Sequence, residues 1–318
     1  MRIAVLAVNG SSSSPIAGTI ESLKTAFHVA KIAGTLLLVT EDGKPINCNN
    51  GVILSPHHAI SDIDNCDLLV LGPLGAPPQQ GYKYSQKLIE WIQDIHHQGA
   101  AIASLCTGAF LFAATGLLDN RQATTHWLYA DKFRLEFPQI QLEIGRKITE
   151  EDNLICSGGA NAYLDLCLYI IEKYLGRSTS LRCAKMLLIN PESNSQAEFA
   201  STQRHRLHRD QLILQVQDYL ESRIVEVLNF RDVAANIGLS ERHFKRRFKV
   251  ATGESPLQYL QALRIQKAKD ELENTQKNIE SIGFEVGYED VRFFRSLFKR
   301  HAGLTPSQYR NKFGMGCH

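Results

Sequence analysis

The stretch "FRDVAANIGLSERHFKRRFKVATG", Phe230–Gly253, decides how the C-terminal part of this 318-residue chain is read. A short helical pattern stops at Gly238, and a second starts after Ser240, a residue type whose hydroxyl caps helix N-termini. Phe244 and Phe248 share one side of the second helix, placed to pack on Val233 and Ile237. Arg242, Lys245, Arg246 and Lys249 share the other. The stretch then returns. At an offset of 50, Phe244, Phe248, Lys249, Gly253, Pro256, Gln258 and Tyr259 are matched by Phe294, Phe298, Lys299, Gly303, Pro306, Gln308 and Tyr309. Gly238 is matched by Gly287 at an offset of 49, so the second turn holds one extra residue.

In the second copy, Phe294, Leu297 and Phe298 form the core side, and Arg292, Arg295, Ser296 and Lys299 the outer side. A basic helix face opposite an aromatic anchor suits entry into a DNA major groove. Lys and Arg neutralise phosphates there, and Arg also grips guanine O6/N7 in a bidentate way. A solvated amphipathic face is the plain alternative for one such helix, but it does not account for two at the same place in a repeated turn. Between the copies, "SPLQYLQALRIQKAKDELENT" reads as one long helix with Ser255 as cap and Pro256 at its first position. Such a rod would hold the two basic helices at a fixed separation, and successive major grooves on one face of DNA lie about 34 Å apart.

The half from about Gln211 onward therefore reads as helices only, with Asp210 as the cap that starts them. It resembles the AraC/XylS family of bacterial transcription regulators, whose carboxy-terminal signature is visible as "IGFEVGYEDVRFFRSLFKRHAGLTPSQYR". The resemblance implies base contacts from Arg242, Lys245 and Arg246 in the first helix, and from Val291, Arg292, Phe293, Arg295 and Ser296 in the second. Val291, Arg292, Phe293 and Ser296 depart from the residues common in that family, so the operator sequence does not carry over. Phe293 is placed either to touch a thymine methyl or to pack within its own domain.

Upstream, the grammar changes. "RIAVLAV", "GTLLLVT", "DLLVLGP", "AAIASL" and "NLICSGG" read as apolar strands, separated by helical stretches such as "TIESLKTAFHVAKI", "YSQKLIEWIQDIHHQ" and "AYLDLCLYIIEKYL". That alternation predicts an α/β doubly wound, largely parallel sheet. The expected organisation is an α/β domain over 1–190, a polar linker over 191–209 and an all-α domain with two helix-turn-helix units over 210–318.

Within the α/β part, "SLCTGAF" fits a nucleophile elbow: a strand, a sharp turn with Cys106 at its apex, then a helix. A thiol at a helix N-terminus is expected to favour thiolate, and the same helix end is expected to suit a carboxylate or phosphate. The pieces "SLCTGAFLFAATGLLDNRQATTHW" and "LICSGGANAYLDLCLYIIEKYLG" resemble the ThiJ/PfpI, class I amidotransferase-like fold (flavodoxin-like). Joined to the helical half, the chain resembles GlxA-type regulators. Enzymes of the superfamily pair the elbow cysteine with an acid from the first strand–helix loop, or with a histidine directly after it. Here Thr107 follows Cys106, the acid position falls at Pro15, and Glu21 lies about two helical turns beyond it. His126, in "ATTHW", is placed to approach the cysteine, but no base–orienter chain completes it.

The elbow therefore reads as the floor of a small-molecule pocket, with Cys106, Thr107, Gly108, His126, Gly158 and Gly159 as ligand contacts and no catalytic role. The competing reading is a cysteine-dependent hydratase or amidase using Cys106.

The remaining signals bound the function. Net charge is +2, and residues 195–318 hold 20 Lys+Arg against 15 Asp+Glu, leaving 15 against 18 in residues 1–194. The positive excess thus lies in the half expected to meet DNA. The seven cysteines form no C-x-x-C pair and sit mostly in apolar runs, the pattern of reduced thiols. No apolar run approaches the ~20 residues that span a bilayer, and "MRIAVLAVNG" has too short an apolar run for a signal peptide. The adjacent pairs His57–His58 and His96–His97 point their rings apart, so no metal is expected, and no phosphate- or dinucleotide-binding loop is present. The loop "GPLGAPPQQG", Gly72–Gly81, lies at the carboxyl edge of the sheet, where open α/β sheets bind ligands, although a plain connection is the simpler reading. The expectations are a cytoplasmic protein with promoter DNA and an unidentified small effector as partners, RNA polymerase as a further one, a homodimer, no membrane and no cofactor.

Overall fold

The computed structural model describes residues 1–77, 84–159, 161–190, 196, 206, 208 and 210–314. They fall into two compact units, Met1–Gln196 and Ala197–His318. The linker expected over 191–209 lies outside the described residues except for Gln196, Arg206 and His208, as do residues 78–81 of the "GPLGAPPQQG" loop.

The first unit holds strands β1 (Arg2–Leu6), β2 (Thr35–Thr40), β3 (Ile46–Asn47), β4 (Ile53–Leu54), β5 (His58–Ala59) and β6 (Leu68–Leu71). It continues with β7 (Ala101–Ser104), β8 (Gln122–Ala123), β9 (Gln141–Leu142), β10 (Ile148–Glu151) and β11 (Leu154–Ser157). Its helices are α1 (Ser13–Ala30), α2 (Gln86–His97), α3 (Gly108–Ala114), α4 (Ala130–Glu136), α5 (Ala162–Leu175) and α6 (Arg177–Met186). One sheet runs β10-β11-β7-β6-β1-β2-β5, parallel throughout except that β10 pairs antiparallel with β11. The five apolar runs seen in the sequence are β1, β2, β6, β7 and β11. Every residue of β6, β7 and β11 is buried, because both faces of the sheet are covered.

Alternation along β1 divides the core. Ile3 and Val5 face a cluster with Ile16 and Leu23 of α1, Ile170 and Ile171 of α5, and Cys183 of α6. Ala4 and Leu6 face the opposite cluster, with Ile92 of α2, Phe110 of α3 and Phe133 of α4. The chain winds outward from β1 to β2 and β5 on one side and to β6, β7 and β11 on the other. Such a reversal of strand order opens a crevice at the carboxyl ends of the strands, and Cys106 lies just past the end of β7.

The second unit is helical: α7 (Gln211–Ser222), α8 (Phe230–Asn236), α9 (Glu241–Thr252), α10 (Pro256–Asn274), α11 (Ile279–Glu285), α12 (Val291–Ala302) and α13 (Pro306–Phe313). The repeat has a physical basis in each copy. Gly238 and Gly287 take left-handed φ values of 69° and 88° at the turns, as do the C-caps Gly253 and Gly303 at 80° and 74°. Ser255 and Thr305 cap the following helices in reciprocal capping boxes with Gln258 and Gln308, each with proline at the first helical position. Phe244, Phe248 and Tyr259 stack edge to face with centroids 5.8 and 5.5 Å apart. Phe294, Phe298 and Tyr309 do the same at 5.9 and 5.4 Å. Asp210 caps α7 through the Ile213 N–H and also grips Arg247 through both carboxylate oxygens, at 2.7 and 2.9 Å.

Helix α10 joins the copies. Tyr259 and Leu263 pack in the first core with Val216 and Phe248, while Ile265, Ala268 and Leu272 pack in the second with Ile282 and Phe298. Midway, Arg264 donates to the carbonyls of Ile224 (2.7 Å), Glu226 (2.8 Å) and Gly287 (3.0 Å). One guanidinium thus ties the α7–α8 loop to the second turn. Replacing it with methionine, Arg264→Met, keeps the stem but removes all three donors. We expect a loss of about 2 kcal/mol in urea unfolding of the full chain, with far-ultraviolet dichroism as the readout.

Candidate functional site

Cys106 takes φ +53°, a left-handed conformation uncommon for a residue with a side chain, between the end of β7 and the start of α3. Its N–H donates to Ser157 O at 3.1 Å, and its carbonyl accepts from the Thr125 hydroxyl at 2.9 Å. The Thr107 hydroxyl donates to the Leu74 carbonyl, which pins the described part of the Gly72–Gly81 loop to the turn. A Cβ on Gly108 would lie 2.7 Å from Leu71 O and 2.8 Å from Gly72 O, so glycine is required where the helix crosses the neighbouring strand end. The elbow geometry read from "SLCTGAF" is therefore present, held by contacts from β6, β11 and the segment before His126.

Its chemistry differs from the sequence expectation in one respect. The thiol is buried, and burial pushes its pKa up to about 11, outweighing hydrogen bonds from Thr107. Cys106 is thus a neutral thiol at neutral pH, not a stabilised thiolate. The helix behind it is seven residues long, and the carbonyls of Leu71 and Gly72 crowd Gly108 in its first turn. Pro15 lies buried in the first turn of α1, and Glu21 is exposed on that helix.

His126 follows Thr125, whose hydroxyl bonds the Cys106 carbonyl. Its Nδ1 accepts from the Leu128 N–H at 3.1 Å, and burial lowers its pKa, which favours neutral imidazole. Its ring edge comes within 3.7 Å of the place a Cβ would occupy on Gly159. Gly158 and Gly159 themselves meet a residue that sequence reasoning did not single out. The Gly159 N–H donates to Oε1 of Gln196 at 3.0 Å, and a Cβ on Gly158 would strike the same amide. Gln196 lies in a polar stretch without periodicity, and nothing in its sequence context marks it. Among the described residues no group of three or more His, Cys, Asp or Glu side chains is placed to hold a metal ion.

In the helical unit, Phe244 and Phe248 are buried beneath α9, and Arg242, Lys245, Arg246 and Lys249 are exposed along it. On α12, Phe294, Leu297 and Phe298 are buried, Arg292, Arg295, Ser296 and Lys299 are exposed, and Val291 is half-buried. Phe293 is 49% exposed with its ring centroid 5.9 Å from that of Tyr288, so it both packs on its own domain and presents a face to solvent. Lys245 pairs with Glu241 at 2.5 Å and Arg295 with Glu280 at 3.7 Å, exposed pairs of small energetic worth that a phosphate can replace.

Residues 1–173 match the DJ-1/PfpI family, and residues 233–312 match a helix-turn-helix domain family. The chain belongs to the DJ-1/PfpI family. Its helix-turn-helix half is of the AraC type, and the whole has the organisation of GlxA-type regulators. The regulator CdhR of Pseudomonas aeruginosa is 26% identical over 311 residues, covering 96% of this chain and 90% of CdhR. The regulator GlxA of Rhizobium meliloti is 29% identical over 223 residues, covering 68% of this chain and 67% of that one. Among solved structures, a transcriptional regulator protein from Vibrio parahaemolyticus superposes with a TM-score of 0.55 at 28% identity. It covers 59% of this chain and 98% of its own. This DJ-1/PfpI chain is accordingly a DNA-binding transcriptional regulator of the AraC type. No helix among its described residues is long and apolar enough to cross a membrane.

With its thiol pKa near 11, Cys106 in the native protein at pH 8 is expected to react with iodoacetamide about 100-fold more slowly than a free cysteine. Mass spectrometry of the alkylated peptide over time measures this. Alkylation at the free-thiol rate would mean an accessible thiolate instead.

Proposed function

We propose that the α/β unit senses a small metabolite at the elbow rim and thereby controls promoter binding by the helical unit. The observation that carries this reading is a pair of basic helix faces repeated on one scaffold, joined to an elbow whose acid position is proline. Cys106, Thr107 and Gly108 form the floor of the sensing site, and His126, Gly158 and Gly159 its rim. The functional division is 1–190 for sensing and 210–318 for DNA, with 191–209 joining them. Arg242, Lys245, Arg246 and Lys249 enter one major groove. Val291, Arg292, Phe293, Arg295, Ser296 and Lys299 enter the next.

The protein acts in the cytoplasm as a homodimer, with RNA polymerase as a further partner at the promoter. It is not an enzyme. A neutral buried thiol, an imidazole whose Nδ1 is engaged and a proline where the superfamily's enzymes carry an acid supply no activated nucleophile. Control by the metabolite requires that it bind two states of the protein unequally.

Genomic fragments retained by the purified protein, sequenced beside Arg246→Ala and Arg295→Ala at matched salt, test the DNA assignment. The expected outcome is a recurring site with two short elements about one helical turn apart. Each substitution should weaken it by about 5- to 150-fold. Diffuse, salt-labile recovery unchanged in the variants would remove the base-reading role from these helices. A small-molecule fraction of the cell that shifts affinity for the recovered site by about fivefold or more would support sensing.

A further inference from the structure

Gln196 is 3% exposed, and its side chain is saturated with hydrogen bonds. Its Oε1 accepts from the Gly159 N–H at 3.0 Å. Its Nε2 lies 2.9 Å from Thr125 O and 3.2 Å from both Arg146 O and the Thr124 hydroxyl. Its own N–H donates to Gly145 O at 3.1 Å. The amide lies flat over Gly158, where a Cβ would come within 2.6 Å of Nε2 and 2.7 Å of Oε1. The cradle is thus built from Thr124 and Thr125, which precede His126, from Gly145 and Arg146, and from Gly158 and Gly159.

The cradle's chemistry is specific. It offers one N–H donor and three oxygen acceptors around a flat slot. A primary carboxamide, with one acceptor oxygen and an NH2 group, satisfies both sides. A carboxylate would face two carbonyls and a hydroxyl whose proton is already given to Arg146 O, with no proton of its own to give. An ammonium or guanidinium would leave the Gly159 N–H without an acceptor, and a buried unpaired donor costs about 1–3 kcal/mol. The group that now fills the slot belongs to the last residue of the first unit.

We propose that this cradle is a carboxamide receptor closed in cis by Gln196, and that the effector is a small molecule whose primary carboxamide displaces that side chain. The proposal rests on the sensing role of the elbow rim. Exchange of one amide for another conserves the hydrogen bonds of the cradle, so the effector's remaining contacts decide the balance. The tethered amide competes at an effective concentration in the millimolar range or above. Displacement releases the Gln196 side chain at the last residue of the first unit, which is how occupancy of the cradle is passed on.

The test uses the full chain, its Gln196→Ala and Gln196→Glu variants, and N-acetyl-glutamine N-methylamide as the probe, with N-acetyl-glutamate N-methylamide, which has no primary carboxamide, as the control. Fluorescence reports binding. Trp127, one of two tryptophans, has its ring centroid 5.5 Å from that of His126. Both variants should bind the glutamine probe at least tenfold more tightly than the parent and ignore the glutamate control. Gln196→Glu preserves size and an acceptor for Gly159 but lacks the NH2, so it separates loss of the amide from loss of bulk. Equal binding by parent and variants, absence of binding to a variant that melts as a folded protein, or equal binding of both probes would overturn the proposal.

Affinity for the operator, measured with and without the probe, separates this proposal from the sensing role itself. If the variants bind the probe and operator affinity is unchanged, the receptor stands and the sensing role fails. If cell metabolites alter operator affinity while the probe binds no variant, sensing stands and the carboxamide receptor fails.

Discussion

The reading half of this regulator depends on the bonds that Arg264 makes from the middle of α10. A guanidinium carries five N–H donors in a fixed plane and cannot shed its charge, so it can serve several carbonyls at once. Here it serves two in the loop after α7 and one in the second helix-turn-helix turn. Its plane also lies 5.2 Å from the Tyr288 ring centroid. Helix α10 is buried by the first core over Tyr259 and Leu263 and by the second over Ile265, Ala268 and Leu272. A rod of 19 residues, about 28 Å long, then carries both basic helices in one rigid frame. Two weak contacts to DNA act together only if such a frame holds their spacing.

The elbow combines a left-handed backbone turn with a buried, neutral thiol. The positive φ of Cys106 and the close approach at Gly108 are retained because β6, β7 and α3 cannot otherwise meet. The electrostatics that would activate the thiol are absent from its described contacts. Burial dominates, Thr107 and Thr125 supply neutral hydroxyls, and the Pro15 side chain cannot exchange a proton. Strained geometry and reactivity are thus separable: the backbone conformation is a packing requirement, whereas activation needs a charged partner.

The rim above the elbow binds its own chain. Gly158 and Gly159, legible as a turn after β11, form a slot that an amide side chain from residue 196 fills. Buried polar groups in such a slot must be paired, so the site is costly to leave empty. A built-in occupant solves that problem and also places a chain segment under the control of whatever else can enter.

Much of this architecture was legible in the primary structure. Local chemistry sets it: five apolar runs bounded by turns, a fifty-residue repeat of aromatic anchors, glycines at left-handed turns and Ser-x-x-Gln or Thr-x-x-Gln caps before proline. Each depends on neighbours within a turn or two, so periodicity and residue type suffice. The two-residue ladders β3–β4 and β8–β9, the antiparallel edge strand β10 and helix α6 were not legible, because their formation is dictated by what they pack against. The raised pKa of the Cys106 thiol was not legible for the same reason, since desolvation depends on every surrounding element and not on the helix that follows. The sequence by itself determined an enzyme-like α/β half joined to two DNA-reading turns. Only the tertiary structure decided that Arg264 ties the α7–α8 loop to the second of those turns and that Gln196 packs over Gly158 and Gly159. Both are contacts between residues far apart in the chain, and burial and geometry alone select the partners.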